Sequence, residues 1–155
     1  MHRPLLLATV IASALLLPSA HASDTPLPRS VGQPYAATQL ADRIVLTPGA
    51  HAATEMAVSY RTDLQQADAL LEFGPALAGP HVTATAQQQR GQTRRLDSDN
   101  GPANYHQVRL EHLQPDTAYV YRVKGSAGWS EWHQFRTAKD TFAPFTFLYL
   151  GDTQN

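Results

Sequence analysis

The 155-residue chain contains no cysteine, and this absence excludes several kinds of chemistry. Disulfide bonds, thiolate metal sites and cysteine nucleophiles all need the missing side chain. The formal net charge is only −1, which gives no electrostatic case for binding nucleic acid or an anionic membrane. No Gly-rich phosphate loop and no Gly-x-Ser-x-Gly turn is present either. The fold must therefore be held by core packing alone, and no nucleic-acid partner is expected.

The sequence also lacks a hydrophobic run long enough to cross a membrane. Its main apolar run extends from Leu5 to Leu17, thirteen residues, where a membrane span needs roughly 20. The triplet Ala20-His21-Ala22 follows and places small residues where signal peptidase requires them. Residues 1–22 are therefore predicted to be a signal peptide cleaved between Ala22 and Ser23. We expect a secreted or periplasmic protein with no membrane association after cleavage.

Residues 23–39 carry three prolines and no periodicity. This composition favours an extended lead-in, with a first edge strand as the alternative. From residue 40 to residue 138 the pattern changes to short runs in which apolar and polar residues alternate. The apolar positions of these runs are Ile44 and Leu46, then Met56, Val58 and Tyr60, then Ala69, Leu71 and Phe73, then His106, Val108 and Leu110, then Tyr119, Tyr121 and Val123, and finally Phe135.

Alternation with a period of two indicates strands that bury one face of a sheet. A weaker run, "HVTATAQ", lies at residues 81–87. Six or seven such runs, spaced about 8–12 residues apart, are typical of a β-sandwich. The sequence therefore predicts an all-β domain over residues 40–138.

One stretch of this domain, "LQPDTAYVYRV", predicts a specific turn. Pro115 and Asp116 form the corner between two strands, and Leu113 precedes them. Tyr119 then lies near the start of the next strand, where its ring fills the core and its hydroxyl bonds back to the backbone of the corner. This arrangement is a tyrosine corner, and Leu113, Pro115 and Tyr119 are predicted to have structural roles in it.

These residues resemble a fibronectin type III domain. More narrowly, "RIVLTPG", "EMAVSYRT", "LLEFG", "LEHLQPDTAYVYRV", "GWSEWHQFRT" and "PFTFLYLGD" resemble the amino-terminal domain of purple acid phosphatases and its junction with their catalytic domain. The resemblance runs from about Arg43 to Asp152. It departs at Tyr60, where the family usually has Trp, and it fades between Ala76 and Ala103.

The run "FTFLYLGD" differs from the sandwich strands because neither face of it is polar. A strand of this kind is covered on both sides, as in a parallel sheet flanked by helices. Gly151 and Asp152 follow it, at the position where such sheets place functional residues. Residues 139–155 are therefore predicted to be a linker and the first strand of an α/β domain, which the resemblance implies is an incomplete metallophosphoesterase domain. The resemblance implies that Asp152 is a ligand of the first metal, whereas Gln154 stands where many relatives in the wider superfamily have His.

The resemblance implies that the chain is the N-terminal part of an exported acid phosphatase. Such an enzyme hydrolyses phosphate monoesters at a centre of two metal ions, iron plus iron, zinc or manganese, and the sandwich is an accessory domain. The 155-residue chain alone is expected to bind no metal and to be inactive. The alternative is a stand-alone fibronectin type III-like interaction module without catalysis.

The remaining candidate residues are assigned simpler roles. The histidines after residue 22 are predicted to be surface or core residues rather than metal ligands; they are His51, His81, His106, His112 and His133. "DSDNG", residues 97–101, departs from the calcium-loop pattern and is predicted to be a solvated turn.

Two interpretations remain open for a group of arginines and for the two tryptophans. Arg90, Arg94 and Arg95 are predicted to lie in a solvated loop, with a rim that attracts anionic substrate as the alternative. Trp129 and Trp132 flank a predicted turn. They are expected to pack against the catalytic domain, or else to form a platform for a sugar or a partner.

Overall fold

Nine β-strands and one short helix form the described part of the computed structural model, residues 35–77 and 81–151. In chain order they are β1 (Asp42–Pro48), β2 (Met56–Thr62), β3 (Leu70–Pro75), α1 (His81–Thr85), β4 (Gln87–Arg90), β5 (Gln92–Ser98), β6 (Gly101–Leu110), β7 (Ala118–Gly125), β8 (Gly128–Trp129) and β9 (His133–Arg136). None of the described residues forms a helix with the length and apolar content that a membrane span requires.

The strands make two antiparallel sheets. The first sheet has the order β1-β2-β6-β5. In the second sheet β4 pairs with β3 and β3 with β7, and both β8 and β9 pair with β7. This arrangement confirms the predicted all-β sandwich.

The core lies between the two sheets and consists of the alternating residues that the sequence indicates. Its buried members are Met56, Val58, Tyr60, Ala69, Leu71, Val108, Leu110, Leu113, Tyr119, Tyr121, Val123 and Phe135. Burying one large aliphatic or aromatic side chain contributes roughly 1.5–3 kcal/mol. Because one face of each of these strands is apolar, a slip of one residue in register would expose the whole set to water.

Tyr60 connects the two sheets. It stands at the position where the family that the sequence resembles usually has Trp. Its hydroxyl accepts a hydrogen bond from Leu70 N at 2.9 Å and donates one to Leu70 O at 3.1 Å. Tyr60 belongs to β2 and Leu70 to β3, so the bond pair joins one sheet to the other. Burial raises the pKa of Tyr60 to about 12. The phenol therefore stays protonated and keeps both bonds.

The segment between β3 and β6 differs from the prediction. The weak run "HVTATAQ" begins as the one-turn helix α1 rather than as a strand. Two strands follow, β4 and β5, and every residue in both is exposed, so no apolar face was available to reveal them. Arg90 therefore lies in β4, and Arg94 and Arg95 lie in β5, which corrects the prediction of a solvated loop. The turn at residues 97–101 is confirmed at Asp99-Asn100.

The predicted signal peptide, its cleavage site at Ala22 and Ser23, and Asp152 lie outside the described residues. The strand predicted at residues 145–150 is not formed. Its five large apolar side chains are 70–84% exposed; they are Phe145, Phe147, Leu148, Tyr149 and Leu150. A strand needs hydrogen-bonding neighbours at its edges, and none of the described strands pairs with this segment.

Candidate functional site

The tyrosine corner is formed by the turn between β6 and β7. Tyr119 is 6% exposed, and its hydroxyl accepts a hydrogen bond from Gln114 N at 2.9 Å. Leu113 is buried beside it, and Thr117 Oγ1 donates to Pro115 O at 2.8 Å. Two side chains thus bond to the backbone of the corner: Tyr119 from the core and Thr117 from the turn itself.

The residues that follow β9, Thr137 and Ala138, are hydrogen-bonded to the same corner. Thr137 Oγ1 donates to Gln114 O at 2.6 Å and accepts from Thr117 N at 3.0 Å. Ala138 N donates to Ala52 O at 3.1 Å, and Ala138 O accepts from Asp116 N at 2.9 Å. The chain is therefore held by the sandwich up to residue 138.

The part that follows, residues 139–151, has no strand or helix. We call this part the C-terminal segment. It leaves the sandwich at the end that carries the tyrosine corner and exposes a run of apolar side chains to solvent. An exposed run of this size is characteristic of a surface that meets another protein or domain.

Among the residues whose burial the structure describes, His106 is the most deeply buried histidine, and both of its ring nitrogens are hydrogen-bonded. Nε2 lies 2.7 Å from Thr62 Oγ1, and Nδ1 lies 2.9 Å from Thr93 Oγ1. Because the Thr62 hydroxyl donates to Asp63 O, it accepts from Nε2–H, and Nδ1 then accepts from Thr93. The ring also stacks on Tyr60 with centroids 4.6 Å apart. This neutral histidine is a structural element and not a metal ligand.

The other described histidines do not form a metal site. His51 and His112 are exposed, and His133 packs its ring 5.3 Å from Tyr121 with Nε2 buried and unbonded. Within residues 35–77 and 81–151, no group of three or more His, Asp, Glu or Cys could hold a metal ion. The metal centre that the resemblance implies would take its ligands from Asp152 and from a following domain, neither of which belongs to the described residues, so we derive no catalytic step through a metal here.

A stack of aromatic and cationic side chains lies on the second sheet, which the sequence pattern did not reveal as a unit. Cζ of Arg122 lies 5.0 Å from the ring centroid of Trp129 and 4.5 Å from that of Trp132. Glu72 holds the guanidinium, with Oε2 at 2.8 Å from Nε and 2.7 Å from Nη2. Lys124 Nζ lies 5.3 Å from the Trp129 ring. Both tryptophans therefore contact cations that β7 carries.

The architecture defines the class of the protein. Two antiparallel sheets joined through a tyrosine corner make the chain a fibronectin type III-like β-sandwich domain. Residues 41–137, more than half of the chain, match the family described as "Purple acid Phosphatase, N-terminal domain". The chain belongs to this family. No curated protein sequence matches it.

Several solved structures are similar in outline. The fn3 domain of human contactin 1 has 15% sequence identity and a TM-score of 0.47, covering 68% of this chain and 82% of that chain. Astrotactin-2, a vertebrate membrane protein, has 16% identity and a TM-score of 0.46, covering 66% of this chain and 22% of that chain. A computationally redesigned β-sandwich protein has 17% identity and a TM-score of 0.41, covering 65% of this chain and 96% of that chain. Because these TM-scores are below 0.5, the fold assignment depends on the strand topology and the family match.

Proposed function

We propose that this chain is the N-terminal part of an exported, metal-dependent acid phosphatase that hydrolyses phosphate monoesters, with the sandwich as its accessory domain. The observation that carries the proposal is the family match over residues 41–137. The sandwich keeps the chain in place up to Ala138, and the apolar C-terminal segment then leads toward Gly151 and Asp152. A catalytic domain packed on this segment would remove its apolar side chains from water.

In this proposal the catalytic metals are held by the domain that follows, and Asp152 supplies one carboxylate ligand. When bound, a pair of metal ions lowers the pKa of a water molecule and stabilises the attacking and leaving oxygens of the phosphate ester. The residues of the sandwich do not contact the reacting atoms. Their part is to fold independently and to fix the position from which residue 139 onward leaves.

The test compares substitutions in the protein that contains this chain and its catalytic domain. Asp152→Asn should reduce hydrolysis of p-nitrophenyl phosphate by orders of magnitude and lower the metal content measured after purification. Asp140→Asn is the matched control, because Asp140 is an exposed carboxylate of the C-terminal segment. The 155-residue chain alone should show no turnover. Full activity in Asp152→Asn would refute the role of Asp152, and an inactive wild-type protein would favour the stand-alone interaction module.

Export is tested independently of activity. The mature protein recovered outside the cytoplasm should begin at Ser23, as N-terminal sequencing or intact mass would show. A protein that retains Met1 after export would contradict cleavage at Ala22.

A further inference from the structure

Two adjoining cavities lie over the outer face of β6. One, of about 350 Å³, has Arg90, Gln92, Gln107 and Arg109 in its lining. The other, of about 570 Å³, shares Gln92 and Gln107 with the first and adds Arg94 and Tyr105. We call the two cavities together the β6 groove. Its lining comes from β2, β4, β5 and β6, and hence from both sheets of the sandwich.

Strand register decides which arginines enter the β6 groove. Arg94 is paired with Tyr105 of β6, so its side chain lies on the outer face together with Tyr105. Arg95 is paired with Asn104, lies on the opposite face, and forms an ion pair with Asp97 at 3.0 Å. Arg94 and Arg95 are adjacent in β5 but lie on opposite faces, and only Arg94 lines the groove.

The β6 groove carries positive charge on a chain that is slightly negative overall. Three arginines line it, whereas Glu111 is the acidic residue of its lining. Arg94 and Arg109 form no ion pair with another described residue. Arg90 is 3.4 Å from Asp68, and both side chains are more than 70% exposed, so solvent screens that pair strongly. The groove is therefore suited to an anion.

The spacing of these charges indicates the size of the ligand. Tyr105, opposite Arg94, and Arg109 are four residues apart in β6, a distance of roughly 13 Å along an antiparallel strand. The amides of Gln92 and Gln107 face each other across the strands between these two ends. An amide side chain both donates and accepts hydrogen bonds, which suits hydroxyl groups, and the Tyr105 ring offers a face for a sugar ring.

We propose that the β6 groove binds a phosphorylated sugar. One phosphate group contacts Arg94, a second phosphate contacts Arg90 and Arg109, and the hydroxyls between them bond to Gln92 and Gln107. The choice of phosphate over other anions rests on the proposed function, because a phosphatase gains from an accessory domain that retains a phosphate-bearing substrate. Binding requires no metal and no residue of the catalytic domain.

The test is calorimetric titration of the 155-residue chain with fructose 1,6-bisphosphate at low ionic strength. Arg94→Gln and Arg109→Gln should each weaken binding about tenfold, as expected for a lost hydrogen bond to a charged group. Arg95→Gln is the matched control and should leave the affinity unchanged. All three arginines are exposed, so the variants should fold, and thermal unfolding would verify this.

Two further titrations test the chemical class of the ligand. Fructose should bind far more weakly than the bisphosphate, because it lacks the phosphates that contact the arginines. Inorganic tripolyphosphate should also bind more weakly, because it offers no hydroxyls to Gln92 and Gln107. Absence of bisphosphate binding, equal loss in Arg95→Gln, or tripolyphosphate binding as tight as the sugar would overturn the inference. Hydrolysis of p-nitrophenyl phosphate by the longer protein would still stand in each of these cases, so the two proposals fail separately.

Discussion

The hydroxyl of Tyr119 accepts a hydrogen bond from the backbone N–H of Gln114 at 2.9 Å, five residues earlier in the chain. The ring of the same tyrosine stacks on Phe135 with centroids 5.5 Å apart. One side chain therefore joins the β6–β7 corner to β9, the last strand before the chain leaves the sandwich. The corner is thus coupled to the position at which the chain leaves the sandwich.

Removing the Tyr119 hydroxyl should destabilise the domain. We expect Tyr119→Phe to lower the free energy of unfolding by roughly 1–3 kcal/mol, because the backbone N–H of Gln114 loses the acceptor that the buried Tyr119 side chain provides. Tyr121→Phe is the matched control: Tyr121 is equally buried, but its hydroxyl makes no such bond to the described part of the chain. Urea denaturation of both variants checks the expectation. Identical midpoints for wild type and Tyr119→Phe would contradict it.

Acid should weaken the fold through His106. Burial lowers its pKa to about 4, and Asp68 opposes this only in part, whereas an unfolded histidine titrates near 6.5. The folded state therefore prefers the neutral ring. The full contribution of His106 to the free energy of unfolding is present above about pH 6.5. As the pH falls from 6.5 to 4, roughly 3 kcal/mol should be lost.

Stability measured by denaturant titration across this pH range tests the role of His106. In His106→Gln the acid-dependent loss should be reduced, although the variant is less stable at neutral pH. His51→Gln, at an exposed position, should keep the wild-type pH dependence. The same acid slope in wild type and His106→Gln would assign the loss to other groups.

Arg122, stacked on Trp129 and Trp132, should contribute more to the free energy of unfolding than the arginines of the surface ion pairs do. Arg122 and Glu72 are only 20% and 13% exposed, and the guanidinium contacts two tryptophan rings. We expect Arg122→Gln to lower the free energy of unfolding by roughly 1–3 kcal/mol, because the mostly buried carboxylate of Glu72 loses its charged partner and keeps only the hydrogen bond from Gln88. Arg136→Gln should cost at most about 1 kcal/mol, since its pair with Asp116 is largely exposed. Equal losses of stability in the two variants would show that the stack adds nothing.

The C-terminal segment should be the first site of cleavage by chymotrypsin. Phe145, Phe147 and Tyr149 are at least 75% exposed and lie outside any strand or helix. Local opening costs little free energy where few contacts must be broken. Mass spectrometry of a brief digest should show trimming after residue 138 while the sandwich stays intact. Earlier cleavage at the buried Tyr119 or Tyr121 would contradict this order.

The sequence alone was sufficient to predict the elements with one buried face. Met56, Val58 and Tyr60 of β2, and Tyr119, Tyr121 and Val123 of β7, alternate with polar residues and are buried as expected. This signal is local because side chains of a strand point to alternate faces. The order of residues at the corner is local too, so Tyr119 and its turn could be predicted from one short stretch.

Only the tertiary structure decided which distant residues meet. β4 and β5 are exposed on both faces, so their sequences have no periodic pattern that would identify them as strands. The pairing of Glu72 with Arg122 joins residues fifty positions apart, and the separation of Arg94 from Arg95 follows from the register of β5 on β6. The apolar run at 145–150 has the composition of a buried strand but forms none. Composition is a property of one segment, whereas pairing and burial also require the neighbours that surround it.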